Sequence, residues 1–177
     1  METLSINIKD LISSSRILRA GMKVFLSGEV FTARDAAHKR LVELIEKKQE
    51  LPIDLKGACI YYAGPTPTPP GLVIGSCGPT TSGRMDVYTP TLLSNGVKGL
   101  IGKGSRSNEV KQAIIDNEAV YFCALGGAGA LASKCITENE EIAFEDLECE
   151  SIKRLVFKNF PLLVCIDSLG NDFYDKI

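Results

Sequence analysis

The chain has 177 residues, enough for one full hydrophobic core and too few for two, so a single domain over 1–177 is expected. Apolar residues make up 45%, charged ones 24%, and the net charge is −2 without any block of like charge, which argues against a nucleic-acid partner. No apolar run is long enough to span a bilayer and METLSINIKD lacks the basic-then-apolar order of a signal peptide, so a cytoplasmic protein without membrane contact is expected.

In chain order, MKVFLSGEVF (22–31) reads as a strand, rich in β-branched and aromatic residues. A helix is predicted from Ala33 to about Lys48, with Ala37, Leu41, Leu44 and Ile45 as its apolar stripe and Thr32 with Asp35 as a capping box. GACIYYA (57–63) is the next strand. The stretch from Gly64 to Pro79 holds five of the eight prolines and predicts a long ordered loop. GLIGK (99–103) reads as a strand, a helix runs from about Asn108 to Asn117, and AVYFCAL (119–125), RLVFK (154–158) and LLVCID (162–167) are further strands. The chain then turns through Gly170-Asn171 into a last short segment. Strands outnumber helices, which predicts a mixed α/β fold.

The chemistry concentrates in CGPTTSGRMD (77–86). A turn needs glycine and proline, but not three adjacent hydroxyls followed by a guanidinium. Thr80, Thr81, Ser82 and the N–H groups around Gly83 are small donors, and Arg84 offers a planar fork matching a carboxylate or phosphate. Arg34 falls in the predicted first turn of a helix, where a cation is disfavoured unless an anion joins it; a surface pair with Glu29 or Asp35 explains it equally well. Lys103 sits between two glycines in IGKGSRSNEV, where a strand runs into a helix start. This is not a Walker A loop, because Val97 and Gly104 stand where glycine and Ser/Thr are required.

Gly127, Gly129 and Ala132 fit G-x-G-x-x-A, but tight backbone packing is favoured over dinucleotide binding, since no βαβ unit clearly follows. His38 is the only histidine and shares a helix face with Arg34; a packed or surface role is favoured over catalysis. The six cysteines, Cys59, Cys77, Cys123, Cys135, Cys149 and Cys165, contain no C-x-x-C pair and read as structural thiols, with no metal site.

GEVFTARDAAHKR (28–40), GPTTSGRMD (78–86), GLIGKG (99–104), YFCALGGAGALAS (121–133) and FPLLVCIDSLGNDFY (160–174) together resemble the β subunit, or C-terminal domain, of class I fumarases and L-tartrate dehydratases, the iron–sulfur hydro-lyases. The resemblance covers nearly the whole chain in order. It implies an α/β swivelling β/β/α domain with mixed sheets and a few flanking helices. It also implies that Arg34, Arg84 and Thr81 bind substrate carboxylates, that Lys103 assists, and that Thr80 abstracts the proton. A 4Fe–4S cluster would be carried by a partner α subunit in a hetero-oligomer, leaving none in this chain. The reaction implied is reversible hydration of fumarate to L-malate, or dehydration of tartrate; a non-catalytic dicarboxylate-binding or regulatory domain is the alternative.

Overall fold

The computed structural model describes residues 3–124 and 129–176. The expected strands form β2 (Lys23–Thr32), β3 (Cys59–Tyr61), β4 (Gly99–Gly102) and β5 (Val120–Cys123). RLVFK and LLVCID, expected as two strands, are one: β7 (Ile152–Ile166) runs straight through Pro161. Proline is tolerated there because β6 pairing stops at Phe157 and β5 pairing starts only at Leu163, so Pro161 has a single neighbouring strand and its missing N–H interrupts one ladder at most. Two strands escaped the sequence reading, β1 (Thr3–Asn7) and β6 (Ile136–Ala143), which occupy the two edges of the sheet.

The strand order is β1-β2-β3-β4-β5-β7-β6, with β2 also paired to β7. Strands β1 to β5 are mutually parallel along the sheet, and β7 is antiparallel to β2, β5 and β6. The pairings therefore run in a closed circuit, β2–β3–β4–β5–β7–β2. Closure requires β2 and β7 to bend together. The register shifts between Leu26 and Gly28, where Gly28 has φ +115°, and facing it Asn159 has φ +50°. The Ser27 hydroxyl accepts the Asn159 N–H at 2.9 Å and holds the bend.

Alternation along the ring strands sorts two cores. Leu26, Val30, Tyr61, Ile101, Phe122 and Val164 belong to one buried cluster, in which Phe157 stacks on Phe160 at 4.2 Å. Their neighbours Ile60, Leu100, Tyr121 and Ile166 belong to the other, which also takes in the helices at 35–46, 89–94 and 108–116, whereas Leu11 and Ala132 pack with the first. Each large side chain fully buried this way contributes about 1.5–3 kcal/mol.

Among the described residues, five α-helices decorate the sheet: α1 (Leu11–Ser14), α2 (Asp35–Glu46), α3 (Thr89–Ser94), α4 (Asn108–Asp116) and α5 (Gly129–Ser133). Helix α4 starts as expected, with Ser107 Oγ accepting the Val110 N–H. Helix α2 does not: its N-cap is Arg34, with no side-chain cap bond. The capping box fails because Thr32 is the buried last residue of β2, and its hydroxyl instead donates to the Ser151 carbonyl and accepts the Lys153 N–H.

The proline-rich segment has no regular structure but is internally bonded. Thr66 N–H donates to the Ser76 carbonyl at 3.0 Å and Thr66 Oγ1 accepts the Ser76 N–H at 2.9 Å. A side chain at Gly75 would overlap the Thr66 carbonyl, so the loop closes on a glycine. Cys123 and Cys165, read as thiols from the sequence, are bonded to each other across β5 and β7 with Cα atoms 5.8 Å apart. The Gly170 turn is as expected, with φ +84° and Asp167 accepting the backbone N–H groups of Leu169 and Asn171. The G-x-G-x-x-A match cannot be placed, since Gly127 lies outside the described residues; Gly129 and Ala132 belong to α5. Among the described residues no helix is long and apolar enough to cross a membrane.

Candidate functional site

Three parallel strands deliver the candidate residues at their carboxyl ends, where parallel sheets commonly hold ligands. Strand β2 ends at Thr32, two residues before Arg34. Strand β4 ends at Gly102, one residue before Lys103. The 77–86 loop is laced onto β3 and β4: Tyr61 OH donates to the Cys77 carbonyl at 2.6 Å, and Thr80 N–H donates to the Tyr62 carbonyl at 2.7 Å. Ser82 N–H donates to the Lys103 carbonyl at 2.9 Å while Ser82 Oγ accepts the Lys103 N–H at 3.0 Å. Gly102 is required by that contact, since a Cβ there would collide with Ser82 Oγ. Within the loop, Ser82–Met85 wind into a single 3₁₀ turn.

This lacing brings Arg34, Thr80 and Arg84 together on one rim. Arg84 Nη2 donates to Thr80 Oγ1 at 3.1 Å and to Asp35 Oδ2 at 2.9 Å. The same Asp35 oxygen lies 3.9 Å from Arg34 Nε, which is also 3.3 Å from Glu150 Oε1. Arg34 thus pairs with Asp35 and Glu150, while Glu29, the other partner considered for it, pairs with Arg154. One carboxylate therefore already reaches both guanidinium groups. Arg34 passes over Gly64, where a Cβ would stand 2.9 Å from its Nη1. Thr81 is exposed and bridges to Lys103 through the backbone, and the Lys103 ammonium makes no ion pair among the described residues. The rim is open: the Arg84 side chain is 49% exposed.

His38 stands behind the rim. Fully buried, its Nδ1 lies 2.8 Å from the Arg34 carbonyl, to which it donates when neutral. Burial holds its pKa down at about 4, with the Arg106 charge acting in the same direction, so the ring is neutral at ordinary pH. It is a packed residue, edge-on to Tyr62, that supports the N-cap of α2.

Sequence reasoning missed Arg106 and Asp86, a buried ion pair beneath the loop. For Asp86 the signal was its place at the end of GRMD, where a turn alone does not require an aspartate; Arg106 gave none.

Of the four free thiols, Cys59 and Cys77 are buried, Cys135 is half-buried and Cys149 is exposed. Burial pushes Cys77 up to about 12 and raises Cys59 further, whereas a metal needs thiolate. Cys123 and Cys165 are consumed in their bond, and among the described residues no three Cys, His, Asp or Glu side chains group as metal ligands.

A mixed α/β ring thus presents two arginines, a lysine and two threonines around the carboxyl ends of its parallel strands. The chain belongs to the fumarase C-terminus family, whose sequence model matches residues 2–177. It is 37% identical over 172 residues to the anaerobic class I fumarate hydratase of Escherichia coli K12, covering 96% of this chain and 31% of that protein. It is 37% identical over 158 residues to fumarate hydratase 2 of Leishmania major, covering 88% of this chain and 28% of that one. With the putative L(+)-tartrate dehydratase subunit beta of Methanocaldococcus jannaschii it shares 35% identity over 166 residues, 90% of this chain and 85% of the relative. The chain thus spans about a third of the fumarate hydratases it matches, and most of a separate β subunit.

Proposed function

We propose that this chain is the substrate-holding, proton-abstracting part of a hydro-lyase that hydrates fumarate to L-malate or dehydrates tartrate, completed by a partner subunit. The observation that carries the reading is the Arg84 Nη2 contact shared between Thr80 Oγ1 and a carboxylate. In that arrangement Arg84 grips one carboxylate of a four-carbon diacid in the position Asp35 now takes, and Arg34 grips the other. In the dehydration direction the Thr80 alkoxide takes the proton from the carbon next to the gripped carboxylate as hydroxide leaves the adjacent carbon; in hydration the Thr80 hydroxyl gives that proton back to carbon as water adds next to it. A threonine hydroxyl is a weak base, so its alkoxide must be favoured; the guanidinium hydrogen bond and the nearby Lys103 do so, and they also stabilise the charge that builds on the substrate. Thr81 lines the same rim as a second donor.

The rim's openness supports completion by another surface, and the separate tartrate dehydratase β subunit among the relatives supports a hetero-oligomer. The thiols of this chain do not fit an iron–sulfur cluster, and we assign the cluster to the partner. The closed circuit of strands flanked by helices is consistent with a swivelling β/β/α domain that closes on such a partner.

The test is co-expression with a cluster-bearing candidate partner, anaerobic reconstitution, and assay of fumarate against tartrate. Hydration or dehydration by the complex and none by this chain alone is the expected outcome. Dicarboxylate binding by a complex that never turns over would favour a purely regulatory domain instead.

A further inference from the structure

The loop that carries Thr80 and Arg84 outward is gripped from below by one arginine. Arg106, its side chain fully buried, places Nε 2.7 Å from Asp86 Oδ1, and Asp86 Oδ2 accepts the Ser107 N–H at the start of α4 at 2.7 Å. Arg106 Nη2 donates to Thr89 Oγ1 at 2.9 Å and to Tyr62 OH at 3.3 Å, and Thr89 Oγ1 donates to the Met85 carbonyl at 2.8 Å. The guanidinium lies over the rings of Tyr62, 5.2 Å away, and Tyr121, 4.8 Å away. Tyr121 OH is in turn 2.8 Å from Ser82 Oγ. One buried cation therefore reaches the start, the end and the following residue of the Ser82–Met85 turn.

Stability alone does not account for this arrangement. Taking an arginine and an aspartate out of water is unfavourable, and well-packed apolar residues of the same volume commonly serve as well or better. What the pair adds is a fixed direction. A four-residue 3₁₀ turn has few bonds of its own, and small rotations of it would carry Arg84 away from Thr80.

We propose that Arg106 is a positioning residue: through Asp86, Thr89 and Tyr121 it fixes the turn so that Arg84 stays on the Thr80 hydroxyl beside Lys103. Arg106 itself touches no substrate. Its effect on turnover rests on the hydro-lyase reading above; its effect on loop geometry does not.

The experiment compares Arg106→Met with the double variant Arg106→Met, Asp86→Asn, each assembled with the partner and assayed below its melting midpoint. The single variant leaves a buried carboxylate unpaired and melts lower; the double variant removes both charges and regains most of the midpoint. Turnover does not return with it: kcat per folded complex stays down by on the order of 100-fold, while KM for fumarate, still supported by Arg34 and Lys103, moves by less than about tenfold. In parallel, NMR of the full chain without partner follows the Thr80 methyl and the Arg84 Nε–H with and without fumarate. Both signals shift or broaden in the double variant. A double variant whose kcat recovers with its midpoint, or whose Thr80 and Arg84 signals match the wild type, overturns the proposal. If the wild-type complex neither hydrates fumarate nor dehydrates tartrate, the enzyme reading fails by itself, and the NMR comparison alone decides the positioning role.

Discussion

The two faces of the Ser82–Met85 turn each meet an arginine–aspartate pair. On the outer face Arg84 is 49% exposed and its partner Asp35 38%; on the inner face Arg106 is fully buried and Asp86 is 14% exposed. An exposed pair is held weakly in competition with water, so an incoming carboxylate can replace Asp35 without much loss. A buried pair cannot exchange partners, because either charge left alone is strongly unfavourable. On the proposed reading, the difference teaches how the loop divides its work: the outer, replaceable pair serves binding and the inner, fixed pair serves alignment.

Four measurements break or sharpen that division. The largest effect is expected from Thr80→Val, which keeps the shape and removes the oxygen: turnover of the reconstituted complex falls by roughly 10²–10⁴-fold with little change in affinity. Solvent deuterium incorporation into malate, followed by NMR, reads the step directly, and exchange at the normal rate would pass the base role to Thr81 or to the partner. Next comes Arg84→Lys, which keeps the charge but loses the fork; a loss of about 2–4 kcal/mol in the transition state, on the order of 30- to 1000-fold in kcat/KM, is expected. Near-normal kinetics would make the outer pair merely structural.

The third measurement concerns His38, behind the rim. Its folded pKa, about 4, lies below the unfolded value of 6.5, so the folded state resists protonation. Its contribution is fully present above pH 6.5 and is lost as pH falls from 6.5 to 4, by about 3 kcal/mol at most. Denaturant titrations of the wild type and His38→Gln across that window should differ in slope; parallel curves would place His38 in contact with water. The smallest effect belongs to Asp35→Asn, where removing an exposed partner changes unfolding free energy by less than about 1 kcal/mol. A loss of several kcal/mol would show the outer pair to be as fixed as the inner one.

The sequence was most readable where residue chemistry clashed with its local setting. Hydroxyls and a guanidinium crowded into a turn pointed to Thr80 and Arg84, and the lone lysine between glycines pointed to Lys103; the structure joins Thr80, Arg84 and Arg34 around Asp35 and ties the Lys103 backbone to Thr81 and Ser82. Apolar runs located β3 to β5 because those strands bury both faces, while β2, buried on one face only, was found from its β-branched and aromatic residues. The edge strands were hidden for the opposite reason: TENEE in β6 is polar on both sides, since only one neighbour covers it. Arg106 was invisible because SRSN reads as surface, and nothing local says that two tyrosines and an aspartate, distant in sequence, enclose it. Thr32 misled for a related reason, since its hydroxyl was taken by β7 rather than by the helix beside it.

The closed circuit of strands also dictates an order of events at the ribosome. Strands β2 to β5 can pair among themselves once residues 23–123 have emerged, yet each end of that partial sheet still shows an unpaired edge that only β7 satisfies. Until residues 152–166 are made, the nascent chain carries two open strand edges and an uncovered apolar face, the features that recruit chaperones or neighbouring chains. Synthesis that stalls short of β7 would therefore leave a sticky fragment rather than a smaller folded one, and slow, long-range closure by β7 should set the pace of folding.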